Sequence, residues 1–250
     1  KVPNVGRSPR PPPTAAGESD AWPDHETTRL VGKRGLGDID LSLDGHDLFV
    51  MNLTDRRIYR FSTMDRRLLT SFDHGAVDED WGADARPFAL KVWNNRLYHG
   101  LVRSGESSGR ATDVTAYVYE SDLAGGNMRR IVTVPLNRER GGAIHAAPAD
   151  WGPWRDDHAT VDPAEAYAVL PQPILADIEF GIASVMVLGF RDRFGDMTYY
   201  RPWEGLPPAE RSGVGAGDIL AQRGGTLQVS PEFFEEDAGP GRGIANGLMD

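Results

Sequence analysis

Residues 38–61 read DIDLSLDGHDLFVMNLTDRRIYRF. Three short β-prone runs follow one another in this stretch. Asp38 to Leu41 alternates acidic and apolar residues, as a strand with two unlike faces does. Leu48 to Leu53 is nearly all apolar, and Arg57 to Phe61 alternates again. Asp44-Gly45 separates the first pair of runs and Thr54-Asp55-Arg56 the second, and both are hairpin signals. The stretch reads as a compact antiparallel meander.

The same cadence returns further along the chain. Phe88 to Val92 is followed by Asn94-Asn95, then Leu97 to Val102 and Ala116 to Tyr119. Ala176 to Phe180 leads to Val185 to Phe190, a turn at Asp192-Arg193, and Tyr199-Tyr200. Gly217 to Leu220 leads through a Gly-Gly turn to Thr226 to Val229. Anchored on the first aliphatic residue of each unit (Ile39, Leu90, Ile178 and Ile219), the intervals are 51, 88 and 41 residues. If the long interval hides one unit around Met128 to Leu136, the mean is about 45 residues, the repeat length of a propeller blade. The expected fold is therefore all-β, a β-propeller with about four to five blades in this chain. A β-sandwich is the competing architecture, but its strands would carry no such longer period.

Composition agrees. Twenty-nine glycines and eighteen prolines in 250 residues leave little room for long helices. Residues 1–20, KVPNVGRSPRPPPTAAGESD, read as a linker or long surface loop, with residues 21–250 as the propeller domain. The net charge of −10 disfavours nucleic-acid partners. No apolar run is long enough for a membrane span. The absence of cysteine excludes disulfides and thiolate metal sites.

Three stretches together carry a resemblance: Val31 to Ser42 running on through Phe61; Arg86 to Val92 with the strand Ala116 to Tyr119; and Ala176 to Phe180 through Met186 to Arg193. They resemble the propeller region of large bacterial surface proteins, which often carry SdrD B-like or other immunoglobulin-like repeats downstream. The resemblance spans roughly residues 22–243. It implies an extracellular or cell-surface module and carries over no catalytic residues. It also implies six or seven blades, so the chain is expected to hold part of a ring, truncated at both ends.

The residues themselves offer two candidate sites. Asp38 and Asp40 share one strand face, as do Asp177 and Glu179, because residues two apart point the same way. On innermost strands these four carboxylates would approach a central channel and present hard oxygen ligands for Ca²⁺. The competing role is structural, with the acids accepting backbone hydrogen bonds. Ala89 and Lys91 interrupt the pattern at the matched positions of the Leu90 unit. The second candidate set is Trp81, Trp151, Trp154 and Trp203, which sit beside glycine or proline in loops. They would serve as stacking platforms for a carbohydrate or anchors for a protein partner, or else close loops over the gaps between blades. Asp78 to Asp84 has the D-x-D-x-G-x-D spacing of a calcium loop but lacks the closing glutamate, and reads as a solvated acidic turn. The arginines of the Asp55-Arg56 and Asp192-Arg193 turns are expected to occupy equivalent corners and bridge carboxylates or carbonyls. The six histidines form no metal-binding pair in sequence. The leading functional expectation is a non-catalytic adhesion or ligand-binding module. The alternative is a metal-dependent propeller hydrolase of the lactonase or phosphoesterase type.

Overall fold

The computed structural model describes residues 1–6, 29–138, 150–156, 171–197, 217–222 and 233–235. Among these residues twelve strands fall into three four-stranded antiparallel sheets, each wound in chain order. The first contains β1 (Leu36–Leu41), β2 (Asp47–Asn52), β3 (Arg57–Ser62) and β4 (Leu68–Asp73). The second contains β5 (Ala85–Trp93), β6 (Arg96–Arg103), β7 (Thr115–Ser121) and β8 (Arg129–Pro135). The third contains β9 (Pro173–Phe180), β10 (Met186–Asp192), β11 (Asp218–Gln222) and β12 (Phe233–Glu235). The only α-helix among the described residues is the single turn Arg193–Met197. None is long and apolar enough to cross a membrane.

Local chemistry sets the hairpins. Ser42 and Asp44 close the β1–β2 turn, with the Ser42 hydroxyl donating to Asp44 at 2.6 Å and accepting the Asp47 amide at 2.9 Å. Asn94 and Asn95 both take positive φ, 48° and 58°, between β5 and β6, as a type I′ turn requires.

Two of the expected repeat units are placed differently. Ile219 does not open a new unit; it lies on β11, the third strand of the sheet that contains Ile178. Met128 to Leu136 is not a hidden unit either, since Arg129–Pro135 forms β8, the last strand of the second sheet. The described residues thus hold three sheets where four or five units were expected. A short apolar run shows a strand, but its sequence does not show which neighbour it will pair with. The first six residues also depart from the linker reading. Val2 packs against Val50, Tyr59 and Phe61, and Asn52 and Thr54 donate to the carbonyls of Pro3 and Val5.

The sheets stack face to face, with β1 against β5 and β5 against β9. Between the first two, Phe49, Met51 and Ile58 meet Leu90 and Leu97. Between the second and third, Val102, Ala116 and Val118 meet Leu175, Ile178, Met186 and Leu188. Side chains of this size each gain roughly 1.5–3 kcal/mol on full burial, so these two layers dominate the association of the sheets. The second and third sheets approach closely at Gly100 on β6, where an added Cβ would stand 2.5 Å from Leu175 Cδ2. Gly100→Ala is expected to cost about 1–3 kcal/mol by forcing β6 and β9 apart, read as a lowered denaturant midpoint with an unchanged m-value.

A buried histidine pair joins the first two sheets: His74 directly follows β4 and His99 lies on β6. The Gly75 amide donates to His99 Nε2 at 3.0 Å, and the Ala76 amide donates to His74 Nδ1 at 3.1 Å. His99 stacks on Tyr119 with ring centroids 5.5 Å apart. Burial, with the nearby Arg56 charge, pushes the His74 pKa down to about 4. Burial, with His74 beside it, takes His99 down to about 3. Both side chains are neutral in the folded chain, while the unfolded chain protonates them as pH falls below about 6.5. Stability is therefore expected to drop between about pH 6.5 and 4, by up to roughly 1.4 kcal/mol per pH unit for each histidine. In His74→Asn the amide oxygen can replace Nδ1 as acceptor without titrating. Melting curves across this range should show a shallower slope for that variant.

Candidate functional site

β1 and β9, the first strands of the first and third sheets, carry the carboxylates singled out from sequence. β5 pairs with β6 on one side only, so the Leu90 and Val92 amides on its other edge need acceptors. Asp38 and Asp40 supply them: Asp38 Oδ2 accepts the Leu90 amide at 2.9 Å and Asp40 Oδ2 accepts the Val92 amide at 2.6 Å. The second oxygen of each acid is also engaged, Asp38 Oδ1 by the Ile39 amide and Asp40 Oδ1 by the Leu41 amide. Burial raises the Asp38 pKa, against the pull of the Leu90 and Ile39 amides.

Asp177 and Glu179 stand on β9 within the same electrostatic neighbourhood. Burial raises the Asp177 pKa, with Glu179 and Asp40 adding repulsion and Lys91 opposing it. Lys91 Nζ donates to Glu179 Oε1 at 2.5 Å. Burial works against the Lys91 charge, but the Glu179 hydrogen bond and the fields of Asp40, Glu179 and Asp177 hold its pKa above the ordinary value. The cation among these acids is the ammonium of Lys91, the residue that interrupted the repeat. No group of three or more His, Cys, Asp or Glu side chains is arranged to hold a metal ion among the described residues.

The tryptophans are placed differently from the exposed-platform reading. Trp151 is buried in the layer between the second and third sheets, 6.2 Å from the Phe190 ring. Trp154 is buried too, its indole nitrogen donating to the Pro173 carbonyl at 2.8 Å. Trp81 is partly buried and stacks on Tyr117 at 4.6 Å. Trp203 lies outside the described residues. The acidic turn is not fully solvated either: Asp84 is buried and accepts the Ser107 hydroxyl at 2.6 Å. Trp151 and Trp154 are core side chains, which is the packing that the loop-closing alternative describes.

Sequence reading missed a cationic cleft at the end of β1 opposite the β1–β2 turn. It has a volume of about 230 Å³ and is lined by Gly32, Lys33, Thr54, Arg56, Ala83 and Arg86, among others. Arg56 Nη1 donates to the carbonyls of Gly82, Ala83 and Ala85 at 3.0–3.4 Å. Arg86 Nη1 donates to the Ala83 and Ala85 carbonyls as well, at 2.8 and 3.0 Å. Two guanidinium groups thus share two acceptors, and burial together with Arg86 lowers the Arg56 pKa. Glu106 bridges Arg86, at 2.6 Å, and Lys33. Lys33 also meets Asp156 at 2.8 Å, and Asp156 bonds Arg193 at 2.6 Å. Burial resists ionisation of Glu106 and Asp156, but these cations hold both pKa values below the ordinary range. The sequence signal was the Asp-Arg turn, whose arginine does bridge carbonyls at Arg56, and carbonyls and a carboxylate at Arg193.

No family model matches the chain, and no curated protein matches it.

Replacing Asp40 by alanine leaves the Val92 amide without its acceptor and is expected to cost about 1–3 kcal/mol. Asp177→Asn should act in the opposite direction. Its raised pKa means the folded chain takes up this proton before the unfolded chain does. The ionised form therefore opposes folding at neutral pH, and that penalty fades as pH falls towards 3.8. Melting temperatures of Asp177→Asn should exceed those of the parent chain at pH 7 and converge with them near pH 4.

Proposed function

We propose that the three sheets are consecutive blades of a β-propeller and that this propeller is a non-catalytic binding module displayed on a bacterial cell surface. Three features support the propeller. Each sheet is a four-stranded meander in chain order, the first strand of each lies against the first strand of the next, and apolar layers fill the gaps. The outer face of the first sheet adds a fourth. Ile39 is 55% exposed there, whereas Leu90, at the matching position of the second sheet, is 1% exposed because the first sheet covers it. A further sheet of the same kind would cover Ile39 in the same way.

The observation that carries the non-catalytic reading is the use made of the acids on β1 and β9. Both oxygens of Asp38 and of Asp40 accept backbone amides, and Glu179 is paired with Lys91. Groups committed to holding sheets together are poorly placed to serve as ion ligands or general bases. Binding is then left to the loops at the sheet ends, where a rigid scaffold presents the cleft around Arg56. The surface location rests on the resemblance of residues 22–243 to surface-protein propellers, and the partner expected from it is a protein or a carbohydrate.

Two measurements test this reading. An antibody against this chain should label intact producing cells; labelling only after lysis overturns the surface location. Millimolar Ca²⁺ should leave the melting temperature of the purified chain unchanged. A rise of several degrees would return the inner-strand carboxylates to a metal-site role, since an ion bound only to the folded chain must stabilise it.

A further inference from the structure

From the cleft beside β2 and β5, we propose that this chain binds one small oxyanion, a carboxylate or sulfate group, between Arg56 and Arg86. The proposal deepens the binding-module reading by naming the chemistry its end-face cleft would take.

Four observations meet at this point. The first is the charge balance: Lys33, Arg86 and Arg193 share two carboxylates, Glu106 and Asp156, while Arg56 has no carboxylate partner among the described residues. The local excess is positive on a chain whose net charge is −10. The second is the geometry of the guanidinium pair. Arg56 and Arg86 converge on the Ala83 and Ala85 carbonyls, a like-charge approach that neutral acceptors only partly offset and that an anion would relieve. The third is unused donor capacity. Among the described residues Arg56 bonds through Nη1 alone, and the buried Arg86 Nε meets no acceptor. A guanidinium has five N–H donors in a planar fork suited to paired oxygens. The fourth is size. A cleft of about 230 Å³ has room for a single anionic group.

The equivalent corner of the third sheet shows what a filled site of this kind looks like. Arg193 follows β10 as Arg56 follows β2. Its donors are taken by the Arg29, Val31 and Arg155 carbonyls, the Gln172 side chain and Asp156 Oδ1. Asp156 Oδ1 supplies there the anionic acceptor that Arg56 lacks.

The group can arrive as a free ion or at the tip of a larger molecule, and the test separates the two. The full chain is titrated by calorimetry at low ionic strength with sulfate, acetate, N-acetylglutamate amide and methyl glucuronide. Saturable binding with a Kd of about 1 mM or tighter by at least one of them is expected, weakening as salt is added. Tighter binding of the amide or the glucuronide than of the free ions assigns the site to a carried carboxylate; equal or tighter binding of sulfate or acetate assigns it to a free anion. Arg56→Gln should abolish the binding, but it also removes the bonds that hold residues 82–85. The decisive pair is therefore at Ala83, an exposed residue at the cleft wall. Ala83→Glu places a competing carboxylate there and should lower affinity by about tenfold or more, while the neutral Ala83→Gln stays within about twofold of the parent. Absence of saturable binding by all four probes, or binding that survives Ala83→Glu unchanged, overturns the proposal. Either result leaves the surface-module reading to its own cell-labelling test.

Discussion

The seating of the first sheet on the second depends on a pair of hydrogen bonds that belong to neither sheet's own ladder. An antiparallel meander satisfies its internal amides, but its first strand keeps one open edge, and a buried open edge is costly. Asp38 and Asp40 reach from β1 across to the Leu90 and Val92 amides of β5. The two-residue spacing on each strand sets the register, since only side chains two apart share the face that meets alternate amides. Apolar packing between the sheets is non-directional, and these charged acceptors give it a direction. They fix how far β1 can slide along β5 before Phe49 and Met51 lose contact with Leu90 and Leu97.

Concentrating acids along an inner edge creates its own difficulty. Asp38 and Asp177 both have raised pKa values, with burial the largest cause and neighbouring carboxylates adding to it. A metal ion is one way to relieve such repulsion, and the sequence pattern made that reading natural. This chain uses Lys91 instead. It occupies the position in β5 that matches Asp40 in β1, and its ammonium faces Glu179, Asp177 and Asp40 together. The break in the acidic repeat and the neutralisation of that repeat are one feature.

How far sequence reading reached follows from the range of the forces involved. The strands and hairpins from Asp38 to Phe61 were legible because alternation and turn chemistry act over a few residues. The structural alternative for Asp38 and Asp40 was legible for the same reason, as a face shared by residues two apart. Sheet membership was not. Ile219 and the run from Met128 to Leu136 look like unit starts until pairing places them on a third and a fourth strand. The tryptophans were left between two readings for a related reason: glycine and proline neighbours mark a loop, but not whether that loop turns outward or folds inward. Trp154 is held inside by contacts from segments far apart in sequence, Gly32 and Arg193 among them. Lys33, Arg56 and Arg86 could not be grouped from sequence, because only the stacking of the first two sheets brings the β2–β3 turn beside the start of β5.

Arginine at these corners does what lysine could not. The Arg193 side chain is fully buried, its Cζ lies 4.6 Å from the Trp154 ring centroid, and its guanidinium ties the carbonyls of residues 29 and 31 to the third sheet. Five donors in a fixed plane can satisfy that many acceptors at once; a lysine ammonium has three donors and no planar face to stack. The same residue type at the corner after β2 meets fewer acceptors, so Arg56 keeps donors in reserve beside a second guanidinium. Whether such a corner is structural or receptive is therefore decided by its surroundings. Where residues 29–31, 155 and 156 close over Arg193, the charge is consumed within the fold. Where the cleft stays open over Arg56, the same chemistry faces outward.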